Sequence, residues 1–489
     1  MLLGSYIDSN YISELYVMKS MFLSYFVCFA FVSHTFVVSQ IKPSDRVISK
    51  VVCQYDTSQS YVLFLPSGYD SSRKYPILYC FKPEKDALYP VVYYADIMER
   101  YGVIMVCSWN SQNGPWQVCI DALHAVWKDT HHRFSIDLGR VYATGFSGGA
   151  RTASELAIRY PHQVTGVIGI GSGFSTLQAI PQAVPFRYFY GLYGNRDYNK
   201  SEMIYLDEEL SKRQMMHRIV EFEGIHQWAP FTDFSDGFEW MMLNEMRDGK
   251  RTPDSAWIAQ LFDKRHEQLK TSLHQKNFVD AARMARAIYD DFQFTMPCSA
   301  FVALADSVQK LKAYSDEMAL RSDLQQREVH TQNIMDDFLF NLENPLFEPE
   351  RDMQLQMLYK LTKEWQPLYN TKNEIKSNAA YRCLDYIARL CRARGNGYLN
   401  QRVLPKAVAC FDLARTVWPD DASSHYNLAC ALALSGKTNK ALDALETAVK
   451  VGFNDVPLLD TDPDLNSVRS DKKFNSIRKK AEHSTTSKK

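Results

Sequence analysis

Short apolar runs that alternate with helix-sized segments limit most strongly how this chain can fold. Eight runs lie between about 47 and 220: "VISKVVCQY", "SYVLFLP", "YPILYCF", "YGVIMVCS", "RVYATG", "VTGVIGIG", "FRYFYG" and "HRIVEF". The first two are close together, as in a hairpin, and amphipathic segments such as 152–160 separate later ones. Buried strands joined by crossover helices form mostly parallel sheets, so the pattern predicts an α/β fold with eight strands.

A polar segment marks the end of this pattern. Residues 247–257, "RDGKRTPDSAW", include Pro253, so we place a domain boundary there and expect an α/β domain over 45–247. Strand signals then end, and apolar residues take helical spacing, as in "FVDAARMARAIYDDF". We therefore expect a helical connecting region over 253–387. A chain of 489 residues is long enough for two or three domains.

The last part of the chain, 388–480, contains an internal repeat with an interval of thirty-four residues. The matched positions are Gly395, Tyr398, Ala407, Phe411, Ala414 and Pro419 in the first copy and Ala429, Leu432, Ala441, Leu445, Ala448 and Phe453 in the second. The pattern resembles the tetratricopeptide repeat, whose small residues let paired helices approach closely. The resemblance implies an all-α region with a groove for a protein partner. Packing against the α/β domain is an equal alternative.

Charge and cysteine content exclude several classes of protein. Lys plus Arg and Asp plus Glu balance at 56 each, so nothing in the net charge attracts nucleic acid or anionic lipid. The ten cysteines lie in apolar surroundings without zinc spacing, and we expect buried free thiols. A disulfide between Cys107 and Cys119 is the alternative if the protein is exported. "GIGSGF", at 169–174, lacks full dinucleotide spacing, and we predict neither a cofactor nor a metal.

Residues 1–39 combine an N-terminal extension with a signal-peptide pattern. The segment 18–40 has a lysine, a long apolar stretch, and Val37 and Ser39 where a signal peptidase requires small residues. Asp8 and Glu14, ahead of it, do not suit a signal peptide, so we expect translation to start at Met18. These features predict a secreted or periplasmic protein without a membrane span after cleavage. The alternative is an uncleaved N-terminal anchor.

The stretch "RVYATGFSGGARTA", at 140–153, places Ser147 where a strand gives way to an alanine-rich helix. Gly145 and Gly149 complete the pattern G-x-S-x-G. Because glycine has no Cβ, strand and helix can approach closely, which forces the serine into a strained and exposed backbone position. The helix that begins near Gly148 offers free N–H groups to a developing oxyanion. The stretch therefore predicts a nucleophilic serine.

With this motif, about 47–246 resembles the α/β-hydrolase superfamily, most closely the secreted esterases around polyhydroxyalkanoate depolymerases and feruloyl esterases. The resemblance implies a triad in the order Ser, Asp or Glu, His. Asp197, in "FRYFYGLYGNRDYNKSEM", matches the acid loop of that family, and His226, in "HRIVEFEGIHQWAP", matches its histidine loop. His226 would accept the proton of Ser147, and Asp197 would fix the imidazole tautomer.

Other carboxylates and histidines compete for these roles. Glu202 and Asp207 are the alternatives for the acid. The remaining candidate histidines lie at a turn, a helix end or a strand start, where we expect structural roles: His131, His132, His162 and His217.

The oxyanion loop departs from the family pattern. The family usually has His-Gly after its third strand, whereas this chain has Phe81, Lys82 and Pro83. Because Pro83 has no N–H, the second oxyanion donor, beside the amide of Gly148, would be the backbone of Phe81 or Lys82. A badly placed donor costs about 3 kcal/mol in the transition state, which implies a slow enzyme.

The loop "CSWNSQNGPWQ" after the fourth run predicts a substrate-binding wall. Trp109, Asn110 and Trp116 combine apolar faces with an amide, and Trp228 follows the histidine loop. Such groups suit a sugar or a phenolic substrate. A capped turn with buried rings is an equally good interpretation of the loop.

The leading hypothesis is an exported serine hydrolase that cleaves a carboxylic ester through an acyl-enzyme. Its substrate would be a small-molecule or polysaccharide-linked ester, such as a carbohydrate or phenolic ester. One alternative is a weakly catalytic or non-catalytic interaction protein that uses the repeats. Another is a serine peptidase with the same triad, because acyl chemistry alone does not separate esters from amides.

Overall fold

The computed structural model of the protein describes residues 43–84, 86–176 and 179–486. The predicted N-terminal extension, the signal peptide and the start at Met18 lie outside the described residues and stay predictions. Within the described ranges, no helix combines the length and the apolar character that a bilayer crossing requires.

Eight strands form one sheet: β1 (Val47–Val52), β2 (Ser60–Phe64), β3 (Tyr75–Phe81), β4 (Ile104–Ser108), β5 (Ile136–Phe146), β6 (Gly166–Ile170), β7 (Tyr188–Gly194) and β8 (Met216–Phe222). Their order across the sheet is β1-β2-β4-β3-β5-β6-β7-β8. β2 is antiparallel to β1 and β4, whereas β3 with β4 and β7 with β8 are parallel. Each predicted run overlaps one strand, so the α/β fold class with its eight-stranded, mostly parallel sheet is confirmed.

Three inner strands of the sheet are buried along their whole length, which explains their continuous apolar sequence. Every residue of β2, β3 and β4 is buried. The alternative disulfide is wrong, because Cys107 and Cys119 are both free thiols. Cys107 lies opposite Cys80 in the β3–β4 register, and the Cys119 thiol donates to the Gln112 carbonyl at 3.3 Å. All nine cysteines of the described ranges are free and buried.

The helices of the α/β region are α1 (Leu88–Tyr101), α2 (Trp116–Arg133), α3 (Gly148–Arg159), α4 (Lys200–Lys212) and α5 (Phe231–Arg247). The later helices are α6 (Ser255–His274), α7 (Phe278–Phe292), α8 (Ser299–Gln309), α9 (Lys312–Glu343), α10 (Glu348–Tyr369), α11 (Glu374–Asn400), α12 (Leu404–Val417), α13 (Ala422–Leu434), α14 (Thr438–Lys450), α15 (Val456–Thr461) and α16 (Lys472–Thr486). Short 3₁₀ helices lie at Pro43–Arg46, Pro345–Phe347 and Pro463–Leu465. The all-α region expected after the sheet is confirmed.

The chain forms two compact units. The first contains the described residues up to Ala143, Gln163–Gly166 and Phe234–Met318. In its helical part, Leu243 of α5 belongs to the same buried cluster as Phe262 of α6. The predicted domain boundary at 247–257 coincides with the link between α5 and α6, and the first unit continues across this link.

The second unit contains Thr144–His162, Val167–Asp233 and the described residues from Ala319 onward. From the α/β region it therefore contains the end of β5, most of β6, and all of α3, β7, α4 and β8. From the later helices it contains most of α9 and all of α10 to α16. Its helical core is one buried cluster that includes Trp365 and Phe411.

Helices α11 to α14 carry the repeat positions. A Cβ on Gly395 of α11 would lie 2.7 Å from the Phe411 ring of α12, so the two helices approach as closely as the small residue predicts. Ala407 and Ala414 of α12 are fully buried. The assignment of these helices to the tetratricopeptide repeat, and a protein partner for them, stay predictions.

Candidate active site

Ser147 occupies the turn between β5 and α3. Its backbone has φ 54° and ψ −122°, a conformation that glycine adopts far more readily than serine. A Cβ on Gly145 would lie only 2.2 Å from the carbonyl oxygen of Gly149. Strand and helix therefore touch where the G-x-S-x-G pattern requires it, and the serine has the strained backbone that the motif predicts.

Main-chain hydrogen bonds fix the position of Ser147. Its N–H donates to the carbonyl of Ile170 at the end of β6, at 2.7 Å, and its carbonyl accepts from the N–H of Ala150 at 3.0 Å. Gly148 is the first residue of α3, where N–H groups have no acceptor within the helix. This position suits the predicted oxyanion donor.

Asp197 and His226 form a buried hydrogen-bonded pair. Asp197 follows β7 and His226 follows β8, and 2.8 Å separates Asp197 Oδ1 from His226 Nδ1. The side chains are 1% and 6% exposed, respectively. The N–H of Asn199 also donates to Asp197 Oδ1, at 2.8 Å. When Nδ1 carries the proton, Nε2 is left as the basic nitrogen of the imidazole.

Gly171 links the serine to this pair. It directly follows Ile170, which accepts the Ser147 N–H. A Cβ on Gly171 would lie 2.9 Å from His226 Cε1 and 3.1 Å from Asp197 Oδ2, so no larger residue fits against the pair. The structure therefore gathers the backbone of Ser147, Asp197 and His226 around the end of β6.

Two aromatic rings contact the His226 imidazole. The ring centroid of Phe146 lies 4.6 Å away and that of Tyr198 lies 4.5 Å away. Burial, together with the charge of Asp197, raises the pKa of Tyr198 to about 12, so its hydroxyl stays neutral at physiological pH. Sequence reasoning missed Tyr198, Asn199 and Gly171 as parts of the site. Their only signal in the sequence is adjacency to Asp197 or to the end of β6.

The competing carboxylates have other partners. Glu202 forms an ion pair with Arg151 at 2.6 Å and accepts from the Ser172 hydroxyl at 2.7 Å. Asp207 lies 3.1 Å from Nε2 of His217, at the start of β8. Neither is hydrogen-bonded to His226, which favours Asp197 as the acid.

The other histidines lie in structural positions. His131 and His132 belong to the last turn of α2, so the expectation of a surface turn is wrong, because the helix extends to Arg133. The His131 ring packs against Trp127 at 4.0 Å, and burial lowers the pKa of His131. His162 follows α3 with φ 63°, at the helix end expected for it.

Phe81 and Lys82 lie in the first unit. Phe81 ends β3 and is fully buried. The Lys82 N–H donates to the Ser111 hydroxyl over a long 3.4 Å, and the Lys82 ammonium, 5.9 Å from the Trp109 ring centroid, has no hydrogen-bond partner within the described ranges. Burial lowers the pKa of Lys82. A backbone oxyanion donor at Phe81 or Lys82 stays a prediction.

The loop after β4 supports the first hairpin of the sheet. Asn110 accepts from the N–H of Ser60 at 2.9 Å and donates to the carbonyl of Ser58 at 3.1 Å. The Trp109 indole donates to the carbonyl of Ser49 at 2.8 Å. These bonds favour the capped-turn interpretation for Trp109 and Asn110.

The two remaining tryptophans present their rings differently. Trp116 begins α2 and is 38% exposed. Trp228 packs against Phe146, the residue before Ser147, with 5.6 Å between ring centroids. No group of three or more metal-ligating side chains occurs in the part of the chain that the structure describes.

No protein-family model and no curated protein sequence matches this chain. Solved structures do match. A thermostable esterase aligns at 17% identity and TM-score 0.32, covering 41% of this chain and 63% of its own. An S-formylglutathione hydrolase from Agrobacterium tumefaciens aligns at 12% identity and TM-score 0.34, covering 40% and 93%, respectively. A ferulic acid esterase aligns at 14% identity and TM-score 0.33, covering 39% and 94%. This chain thus spans less than two thirds of the thermostable esterase.

Proposed function

We propose that the protein is a serine hydrolase that cleaves a carboxylic ester through an acyl-enzyme. Ser147 is the nucleophile, His226 the general base and Asp197 the residue that orients it. The observation that carries the proposal is the buried 2.8 Å hydrogen bond between Asp197 and His226, next to a serine with a strained backbone. A serine with a purely structural role gains nothing from a positive φ.

In the first half of the reaction, Ser147 Oγ attacks the ester carbonyl carbon as His226 Nε2 accepts its proton. The tetrahedral oxyanion accepts from the N–H of Gly148. The imidazolium then gives its proton to the leaving alkoxide, which departs as the alcohol and leaves the acyl-serine ester. Asp197 lowers the energy of the imidazolium by its charge.

Water completes the cycle in the second half. His226 accepts a proton from the water as its oxygen attacks the acyl carbon, and then returns that proton to Ser147 Oγ as the acid product leaves. Asn199 keeps Asp197 Oδ1 aimed at the imidazole through both halves, because its N–H donates to the same oxygen.

We further propose that the acyl or alcohol group of the substrate is aromatic or a sugar ring, bound beside the apolar faces of Trp228 and Phe146. The N-terminal pattern at 18–40 supports export of the mature enzyme. The thirty-four-residue interval supports a tetratricopeptide-like region that recruits a protein partner.

Covalent labelling tests the nucleophile. A fluorophosphonate probe is expected to modify the wild type, and the Ser147→Ala variant is expected to lose the modification completely. His226→Gln should slow labelling by about 10³-fold or more, because the general base is gone. Ser211→Ala, an exposed serine at the end of α4, is the matched control and should label like the wild type.

Labelling of Ser147→Ala at the wild-type rate would refute the nucleophile, and an unlabelled wild type would favour the interaction protein. For a labelled wild type, a panel of phenyl and sugar acetates compared with peptide anilides separates an esterase from a peptidase. We expect turnover of the esters only.

A further inference from the structure

The backbone of the loop that carries the acid, residues 195–199, is hydrogen-bonded to the end of β8 and to the residues that follow β8. The N–H of Asn195, its first residue, donates to the carbonyl of Phe222 at the end of β8, at 2.8 Å. The N–H of Arg196 donates to the carbonyl of Gly224, also at 2.8 Å. These bonds set the loop beside the histidine loop.

Side chains of the helical region are hydrogen-bonded to the same loop. Gln332 of α9 donates from Nε2 to the carbonyl of Tyr198 at 3.0 Å. Arg196 donates from Nε to Asn378 Oδ1 of α11 at 2.7 Å. The guanidinium of Arg382, also on α11, donates to the carbonyl of the first loop residue. The loop is therefore bonded to two helices that follow it in the chain by more than a hundred residues.

The ring of Tyr198 contacts both the His226 imidazole and residues of α11. On one side it contacts the His226 imidazole, with 4.5 Å between centroids. Arg389 of α11 lies 5.5 Å from the centroid of the Tyr198 ring, and Tyr386 lies 6.2 Å from it. Arg389 donates from Nε to Asp385 Oδ2 at 2.6 Å. Tyr198 thus lies between the imidazole and residues of α11.

Arg382 is placed by a buried ion pair. Its Nε lies 2.7 Å from a carboxylate oxygen of Glu328 on α9, and both side chains are 5% exposed. A buried ion pair is weak evidence for stability, because desolvation offsets most of the attraction. The planar guanidinium does give direction, since it bonds Glu328 and the Asn195 carbonyl at the same time.

We propose that α9 and α11 position the acid–base pair, with Gln332, Arg382 and Arg389 as positioning residues for Asp197 and His226. This inference rests on the proposed hydrolase activity. A displacement of about 1 Å in catalytic geometry slows a reaction by about 100-fold, so the helical region sets the rate of the chemistry through the loop. The helices then contribute to catalysis through this loop, besides any partner they bind.

The test compares variants of the full chain in the pH dependence of Ser147 labelling. Gln332→Leu removes a neutral donor, and Arg389→Met removes the cation over the Tyr198 ring. We expect each to slow labelling by about tenfold at the pH plateau. The midpoint of the Gln332→Leu profile should also move to lower pH, because a looser Asp197 stabilises the imidazolium less. Arg389→Lys keeps a cation over the ring and should restore most of the rate.

Matched controls lie in the same helical region. Gln366→Leu removes an amide that donates to the Thr416 carbonyl at 3.0 Å, and Arg392→Met removes an ion pair with Asp421 at 2.8 Å. Both should label at the wild-type rate with an unchanged midpoint. Equal rates and midpoints for the loop-contacting variants and these controls would overturn the proposal, as would rate losses that only follow the melting temperature.

A spectroscopic measurement separates this inference from the hydrolase proposal. In Ser147→Ala protein, the Nδ1 proton shared by His226 and Asp197 should give a downfield proton resonance that Asp197→Asn removes. We expect Gln332→Leu and Arg389→Met to broaden or shift it and the controls to leave it intact. If the wild type is not labelled but the resonance responds as expected, the hydrolase proposal is refuted and the positioning role stands. If the resonance is unchanged in Gln332→Leu and Arg389→Met, the positioning role is refuted.

Discussion

The backbone of Ser147, with φ 54°, lies in a region that costs a residue with a Cβ about 1–3 kcal/mol. The hydrogen bond to Ile170 and the contact between Gly145 and Gly149 leave the turn no relaxed alternative. The strain is the physical consequence of placing the hydroxyl at the tip of a tight turn, and it lowers the stability of the protein.

Replacement of Ser147 by glycine should therefore stabilise the protein. We expect Ser147→Gly to melt at a higher temperature than Ser147→Ala, with a gain of about 1 kcal/mol, because glycine accepts the positive φ while alanine keeps the strain. Both variants lack the hydroxyl, so differential scanning calorimetry of the pair isolates the backbone effect. A melting temperature for Ser147→Gly at or below that of Ser147→Ala would contradict the strain argument.

At the scale of elements, two glycines on α11 face opposite situations. Gly395 packs against the Phe411 ring of α12, where an added Cβ would meet ring atoms at 2.7 Å. Gly397, two residues later in the same helix, has open space around its Cβ position. Helix packing, and not helix propensity, therefore explains the glycine at 395.

The substitutions Gly395→Ala and Gly397→Ala should have opposite effects on stability. We expect Gly397→Ala to raise the free energy of unfolding by about 1 kcal/mol through helix propensity. Gly395→Ala should lower it by about 1–3 kcal/mol, because the Phe411 ring must move in a filled core. Urea unfolding followed by circular dichroism at 222 nm measures both. A stabilising Gly395→Ala would show that α11 and α12 are farther apart than described.

The sequence was sufficient to predict most of the strands and to select Asp197 and His226, which are hydrogen-bonded in the structure. Apolar runs mark strands, and Asp197 and His226 follow such runs directly, so their place at the edge of the sheet was predictable. The contacts of Tyr198 and Arg382 with the site were not predictable, because they join segments that are nearly two hundred residues apart in the chain. A second oxyanion donor stays a prediction, because a backbone N–H leaves no trace in side-chain identity.

At the scale of the whole molecule, a charged network joins β8 to the later helices of the second unit. Glu221 pairs with Lys200 at 2.6 Å and lies 3.9 Å from Arg321 of α9. Burial alone would raise the pKa of Glu221, but Lys200, Arg321 and Arg382 lower it to about 2. The ionised form is therefore strongly favoured in the folded protein.

This pKa predicts the acid sensitivity of the fold. The unfolded chain takes up a proton at Glu221 near pH 4.5, whereas the folded chain does so only near 2, so the stabilisation is complete above 4.5 and lost as the pH falls toward 2. We expect Glu221→Gln to lower the free energy of unfolding by about 2–3 kcal/mol at pH 7 and by about half of that at pH 3.

Urea unfolding of wild type and variant at both pH values measures the two differences. Glu223→Gln, at an exposed neighbouring position, controls for the loss of one carboxylate. A difference between wild type and Glu221→Gln that stays constant from pH 7 to pH 3 would contradict the lowered pKa.

Buried thiols occur in both units, so alkylation of a thiol can measure local opening of the unit that contains it. Cysteine sulfur is alkylated as an exposed thiolate, and burial raises the pKa of Cys80, Cys383 and Cys391 well above its usual value. A thiol in the folded chain is thus modified only when its surroundings open. Cys80 belongs to the first unit and Cys383 to the second. Mass spectrometry of alkylated peptides from one native sample would therefore measure the rate of local opening in each unit separately.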